Sequence, residues 1–309
     1  MTQPTTPPFA SPADLRMALQ VAGYLADDDL ATAAWLAQGL ERPLLLEGDA
    51  GVGKTALAAA LAQVHGAKLV RLQCFEGLDM AQAAYEWNYG KQLLSLRADG
   101  SSNGTNDVFN SEFLLERPLL QSIRQEGPCV LLIDEVDRAD EAFEAFLLEV
   151  LAEFQITVPE LGTIKAKHIP QVVLTCNGTR ELSDALRRRC LYHHLDYPSL
   201  AREISIVQSA MPDVDRRLIE EATAFVQRLR GQDLAKTPGI AETLDWIKAL
   251  HKLNVHLSTD DTASILTTMG CLLKTREDRF QHGADSVRAL LEGKRHQGVA
   301  PGQHSVPSH

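Results

Sequence analysis

The stretch Leu44-Leu45-Leu46-Glu47-Gly48-Asp49-Ala50-Gly51-Val52-Gly53-Lys54-Thr55 joins an apolar run, a glycine-rich turn and the Ala/Leu-rich segment 56–62 without interruption. It predicts a buried strand, a phosphate-binding loop and a helix. Gly48, Gly51 and Gly53 carry no Cβ, so the backbone can turn successive N–H groups toward phosphate oxygens, with the positive end of the helix behind them. In this reading Gly48, Asp49, Ala50, Gly51, Val52 and Gly53 form the cradle. Lys54 places a point charge on the β- and γ-phosphates, and the Thr55 hydroxyl joins the oxygen shell of a Mg²⁺ ion.

The chain around this loop has 309 residues, 45% of them hydrophobic, enough for one large or two ordinary domains. No segment approaches the roughly 20 apolar residues of a membrane span, and residues 1–10 have neither the basic start nor the apolar core of a signal peptide. The expected compartment is therefore the cytoplasm. A formal charge of −11 weighs against a surface that clings to nucleic acid throughout. Cys74, Cys129, Cys176, Cys190 and Cys271 are scattered with no Cys-x-x-Cys pair, the pattern of reduced, buried thiols rather than of a disulfide frame or metal site.

Residues 1–12, rich in Thr and Pro, read as a disordered leader. Two helices follow over 13–40, then the loop, its helix and a second strand at 68–72, which completes a βαβ unit. Tyr85, Trp87 and Tyr89 make the next stretch unusually aromatic; they are either packing residues at a helix end or grips for another polypeptide. Residues 98–110 read as a mobile loop and 112–126 as a helix. The run Cys129-Val130-Leu131-Leu132-Ile133-Asp134-Glu135 is a buried strand ending in two acids, which are costly there unless they hold a cation or a proton. A helix opens at Asp140, residues 155–166 pattern as a β-hairpin standing off the domain, and residues 171–177 form a further strand that ends on Asn177. Arg187, Arg188 and Arg189 close a short helix before a strand at 191–195. Beyond Pro198 the pattern is all helical: 199–210, 213–230, 241–253, 259–281 and 284–294, with a floppy tail from 296 to 309.

Phosphoryl transfer needs a cradle, a divalent cation, an oriented water and positive charge at the γ-phosphate. Asp134 is the candidate to hold Mg²⁺ through its waters, with Glu135 accepting a proton from, or orienting, the attacking water. Asn177 is placed to position that water or touch the γ-phosphate. One arginine of the run would reach the γ-phosphate of a neighbouring subunit, making the site shared.

This order of parts resembles the AAA+ ATPases, with residues 48–55 as Walker A, 130–135 as Walker B, Asn177 as sensor 1 and the arginine run as the finger. More narrowly, Phe75-Glu76-Gly77-Leu78-Asp79, Tyr85-Glu86-Trp87, Asp134-Glu135-Val136-Asp137-Arg138-Ala139 and the hairpin ahead of Asn177 look like the MoxR family. Pro238-Gly239-Ile240-Ala241-Glu242-Thr243-Leu244-Asp245-Trp246 is similar to its CoxD-like branch, associated with carbon monoxide dehydrogenase and other molybdenum enzymes. The resemblance implies a three-layer αβα P-loop NTPase core over residues 13–197 and an all-α lid over 198–295. It implies Mg²⁺-dependent ATP hydrolysis in a hexameric ring, a von Willebrand factor A domain partner, and a chaperone role in maturing a client metalloenzyme. Arg189 is the first match to the finger and Arg188 the second. One departure stands out: residues 237–245 hold no arginine to act as sensor 2, leaving Lys236 or another group in its place. Two other classes fit the same loop: a nucleic-acid motor, against which the acidic balance counts, and a small-molecule P-loop kinase using Asp134 and Lys54.

Overall fold

The structure, a computed structural model, describes residues 9–98 and 109–293. Most of the expected leader, most of the 98–110 loop and the 296–309 tail lie outside them. The chain divides into two compact units, one ending at Asp196 and the other beginning at Tyr197.

In chain order the first unit comprises α1 (Pro12–Val21), α2 (Asp28–Gly39), β1 (Leu44–Glu47), α3 (Lys54–Val64), β2 (Lys68–Gln73), α4 (Met80–Ala83), β3 (Tyr85–Trp87), α5 (Tyr89–Ala98) and β4 (Leu114–Glu116). It continues with α6 (Pro118–Arg124), β5 (Cys129–Asp134), α7 (Glu141–Glu153), β6 (Gln155–Val158), β7 (Gly162–Lys165), β8 (Gln171–Cys176), α8 (Asp184–Arg189) and β9 (Leu191–His194). Five strands form a parallel sheet in the order β2-β5-β8-β1-β9. Side chains alternate across a strand, so β5 shows how the sheet is covered. Leu131 and Ile133 join the core that Leu119, Leu120, Phe143 and Leu147 of α6 and α7 complete, and Val130 and Leu132, on the other face, are buried as well. Burial on both faces explains the continuous apolar runs of the inner strands β1, β5 and β8, whereas the edge strands β2 and β9 are partly exposed. Parallel pairing also carries β1, β5 and β8 to the same edge, and their carboxyl ends are where open α/β sheets bind ligands.

Three readings of the sequence are corrected here, and one left open is divided. Helix α1 starts at Pro12, capped by the Ser11 hydroxyl, and Phe9 is already packed: its carbonyl accepts from Trp35 Nε1 (2.9 Å) and its ring lies 5.3 Å from that of His65. Residues 112–126 are not one helix. Pro118 favours the first helical turn and holds Arg117 extended, so Leu114–Glu116 is free to pair antiparallel with Tyr85–Trp87. The hairpin β6–β7 does not stand clear of the domain, because Ile156 and Val158 are buried in the same core as α6 and α7. The aromatic stretch divides: Tyr85 and Trp87 are buried on β3, whereas Tyr89 is exposed.

The second unit contains α9 (Leu200–Ala210), α10 (Arg216–Arg230), α11 (Ile240–Leu253), α12 (Thr262–Thr268), α13 (Arg276–Gln281) and α14 (Ala284–Leu291). The helix expected over 259–281 is broken. A 3-10 turn at Met269–Cys271 ends α12, and Thr275 caps α13 by accepting from the Asp278 amide (3.1 Å). Asp278 in turn accepts the amides of Ala235 and Lys236, which ties the start of α13 to the segment ahead of α11. Phe225 and Trp246 anchor the core with ring centroids 5.0 Å apart, and Trp246 Nε1 donates to the Thr268 hydroxyl (2.8 Å).

Candidate active site

The loop between β1 and α3 is fixed at its base by backbone on both sides. The Gly48 amide donates to the Cys176 carbonyl, and the Leu195 amide donates to the Glu47 carbonyl. Gly48 has φ +154°, and a Cβ there would lie 2.2 Å from the Leu195 carbonyl oxygen, so only glycine lets β9 approach this closely. Gly53, at φ +104°, turns the chain into the first residue of α3.

Lys54 is buried, and its ammonium donates to the carbonyls of Gly48 (2.6 Å) and Asp49 (2.8 Å), bending back across the loop. Burial pulls its pKa below the ordinary lysine value, against the pull of Cys176, Asp137, Asp134 and Asp49. Its direct partners are two neutral carbonyls, so its charge is available to an anion held by the loop. The Thr55 hydroxyl lies 3.2 and 3.3 Å from the two carboxylate oxygens of Asp134, across from the end of β5.

Asp134 and Glu135 are neighbours in sequence but stand in different surroundings. Asp134 is 4% exposed, and besides Thr55 it accepts from the Thr175 hydroxyl and from the Arg71 guanidinium. Glu135 follows in the left-handed region at φ 55°, uncommon for a residue with a side chain and an indication that the site imposes it. The same Thr175 oxygen accepts the Glu135 amide (2.8 Å), so one hydroxyl on β8 sets the turn that separates the two acids. The Glu135 carboxylate, about a third exposed, meets Gln73 Nε2 (3.0 Å), Arg138 Nη1 (3.1 Å) and Asn177 Nδ2 (3.5 Å).

Asn177 is held in place by Asp137. One oxygen of Asp137 accepts the amides of Asn177 (3.2 Å) and Thr179 (2.9 Å) and the Thr179 hydroxyl (2.6 Å). Burial pushes the Asp137 carboxyl up, but these donors more than offset it and leave its pKa below the usual carboxylate value. Lys54, Thr55, Asp134, Glu135 and Asn177, all expected from the sequence, thus meet at one sheet edge. Arg71, Gln73, Asp137 and Thr175 complete their surroundings and were not singled out, since each acts on a residue far away in the sequence.

The arginine run divides three ways. Arg187 lies 3.9 Å from Glu47 and over the Tyr192 ring. Arg189 donates to the carbonyls of Leu151 (3.0 Å) and Ala152 (2.6 Å) near the end of α7, so its guanidinium is engaged within the domain. Arg188 is exposed, and its guanidinium makes no hydrogen bond or ion pair among the described residues. Arg42 braces the helix from behind, donating to the carbonyls of Arg188, Arg189 and Cys190.

The donor set fits a magnesium nucleotide. Thr55 and Asp134 offer only hard oxygens, the class Mg²⁺ prefers, and a cation there would take its remaining ligands from phosphate and water. Among the described residues no group of three or more His, Cys, Asp or Glu is placed to hold a metal unaided. Nor is any described helix long and apolar enough to cross a membrane.

Known proteins bear on this geometry. Residues 44–197 match the model of the ATPase family associated with various cellular activities (AAA). An uncharacterized protein of Staphylococcus aureus (strain bovine RF122 / ET3-1) is 29% identical over 224 residues, covering 68% of this chain and 76% of its own. One from Staphylococcus epidermidis is 26% identical over 249 residues, covering 78% and 86%. Among solved structures, Thermotoga maritima RuvB (T158V) aligns at 20% identity over 84% of this chain and 68% of its own, with a TM-score of 0.46. The segment matched by the family model starts at the first residue of β1 and ends three residues past β9, so it takes in the whole parallel sheet together with Lys54, Thr55, Asp134, Glu135 and Asn177. Residues 44–197 are an AAA family ATPase domain.

Proposed function

We propose that this chain hydrolyses ATP with Mg²⁺ at the edge formed by β1, β5 and β8, and uses the cycle to remodel another protein. The observation that carries the chemistry is the separation of Asp134 from Glu135. One acid is buried against the Thr55 hydroxyl, and the other is turned out into partial solvent beside Asn177. The loop residues 48–53 bind the phosphates through backbone N–H groups, and Lys54 adds its charge. Thr55, and Asp134 through water, would hold Mg²⁺, which when bound neutralises charge developing on the phosphate oxygens. Glu135 orients the attacking water and accepts its proton, and Asn177 fixes that water's second contact.

The missing positive charge comes in this reading from a second copy of the chain. AAA+ proteins commonly assemble into rings, and Arg188 is the guanidinium free to cross a subunit boundary; Arg189 is the lesser candidate because its donors already serve α7. The remodelling role, the hexameric ring, the von Willebrand factor A partner and service to a molybdenum-type metalloenzyme rest on the MoxR and CoxD-like resemblance. Phe75, Met80, Tyr89, Leu93 and Leu94, all exposed apolar side chains near the β3–β4 pair, support contact with another polypeptide.

Glu135→Gln tests the core of this proposal. Equilibrium binding and turnover should show wild-type ATP affinity and hydrolysis reduced at least a hundredfold. Turnover close to wild type would remove Glu135 from the reaction.

A further inference from the structure

Period-two alternation on β2 puts Arg71 and Gln73 on the same face, and the register sets Gln73 beside Asp134. The Arg71 Nη2 group carries two N–H bonds and uses both: one reaches Asp134 Oδ2, the other Gln73 Oε1 (2.8 Å). With its oxygen taken by a guanidinium, the Gln73 amide must present its N–H side to Glu135, which it meets at 3.0 Å. A flipped amide would set its NH₂ against the guanidinium and its oxygen against the carboxylate. One side chain therefore touches the buried acid directly and fixes the donor that reaches the exposed one.

Arg71 also answers a charge problem. Asp134 is buried, and an ionised carboxylate there is costly without a counter-charge. Arg71 is the one cation in direct contact with it among the described residues, and the same carboxylate is the acid assigned to Mg²⁺.

We propose that Arg71 is a positioning residue that does two things at once. It is the resident counter-cation of Asp134, with which an arriving divalent metal must compete, and through Gln73 it holds Glu135 in its working orientation. This rests on the assignment of Asp134 to the metal and Glu135 to the water. Two consequences of opposite sign follow. Removing the charge eases metal entry, while removing the planar fork frees Gln73 and slows hydrolysis. Lysine keeps the charge but lacks the fork, so it separates the two roles.

The test uses Mn²⁺ as the probe, bound to the full chain with ADP and followed by the free-ion electron paramagnetic resonance signal, alongside steady-state turnover. Arg71→Met should bind Mn²⁺ about tenfold more tightly than wild type, and Arg71→Lys within about twofold of it. Both should lose about tenfold in kcat, and adding Gln73→Ala to either should cost almost nothing more, as expected for residues acting through one another. Unchanged Mn²⁺ affinity in Arg71→Met, or full additivity with Gln73→Ala, would overturn the proposal. Loss of stability alone would not tighten metal binding, and the half-exposed Arg71 side chain is not needed to fill the core. Asp134→Asn separates the two levels of inference. Loss of Mn²⁺ binding there with no change in Arg71→Met sinks Arg71 alone; Mn²⁺ binding intact in Asp134→Asn removes the site assignment beneath it.

Discussion

Glu203 and Arg230 in the helical unit, and Asp134 and Glu135 at the end of β5, both bring carboxylates against guanidinium groups, with opposite degrees of closure. Glu203 is fully buried and Arg230 nearly so. They form a two-point fork at 2.6 and 2.7 Å, and Gln227 and Thr243 take up the remaining capacity of the carboxylate. Arg230 is further held by the Pro238 carbonyl and the Tyr197 ring. Glu203, Thr243 and Pro238 are buried, and Gln227 and Tyr197 are partly so. At the end of β5 the side chains of Arg71 and Arg138 are more than half exposed, each guanidinium meets its carboxylate at a single point rather than through a fork, and Glu135 sits in the left-handed region. A saturated cluster ties helices together; an unsaturated one at a strand end leaves room for a ligand.

Breaking the saturated cluster should have the largest effect on folding. Glu203→Ala strands a buried guanidinium and should lower stability by about 3–5 kcal/mol in thermal or denaturant unfolding. The double change Glu203→Leu with Arg230→Met should recover most of that loss, because an apolar pair of similar volume avoids the desolvation cost. Glu135→Gln, by contrast, should leave the unfolding midpoint in place or raise it slightly while abolishing turnover. If the carboxylate at the strand end proved as costly to remove as Glu203, the distinction between the two clusters would fail.

The arginine run gives a second contrast of the same kind at smaller scale. Arg188→Ala should cut kcat about a hundredfold or more with no change in stability, as loss of an arginine finger does. Arg189→Ala should do the reverse: about 1–2 kcal/mol of stability lost with the carbonyls of Leu151 and Ala152 left unpaired, and kcat reduced far less. Equal losses of kcat in both variants would return the finger assignment to the whole run.

The smallest expected effect is on acid stability. Burial raises the Asp278 carboxyl, but the Thr275 hydroxyl and the amides of Ala235 and Lys236 outweigh it, so its folded pKa lies below the unfolded one. A depressed carboxyl contributes stability that is fully present above the unfolded value and fades as pH falls through the folded one. The helical unit should therefore weaken below about pH 4, and Asp278→Asn should flatten that limb.

Much of the site is legible in the sequence because its parts are local. Gly48 to Thr55 is one continuous stretch, and Asp134-Glu135 and Asn177 each end an apolar run whose length marks a buried strand. What the sequence hides is what depends on register. Arg71 and Gln73 look like ordinary outward residues of β2 until β5 is placed beside them. Arg188 and Arg189 are indistinguishable in composition, and only the carbonyl end of α7 tells them apart. Helix boundaries failed where tertiary bonds overrode propensity, as at Asp278, whose carboxylate binds amides more than 40 positions away. The pairing of Leu114–Glu116 with Tyr85–Trp87 was hidden for the same reason, though Pro118 marked the true start of α6.

Co-expression of Glu135→Gln with Arg188→Ala tests the shared site most directly, since each variant alone lacks one half of it. Mixed assemblies should recover up to about a quarter of wild-type ATPase activity, the fraction of boundaries at which an intact Glu135 faces an intact Arg188 under random head-to-tail assembly. Activity no higher than that of the separate variants, in assemblies shown to contain both, would contradict a nucleotide site completed by a neighbouring copy of the chain.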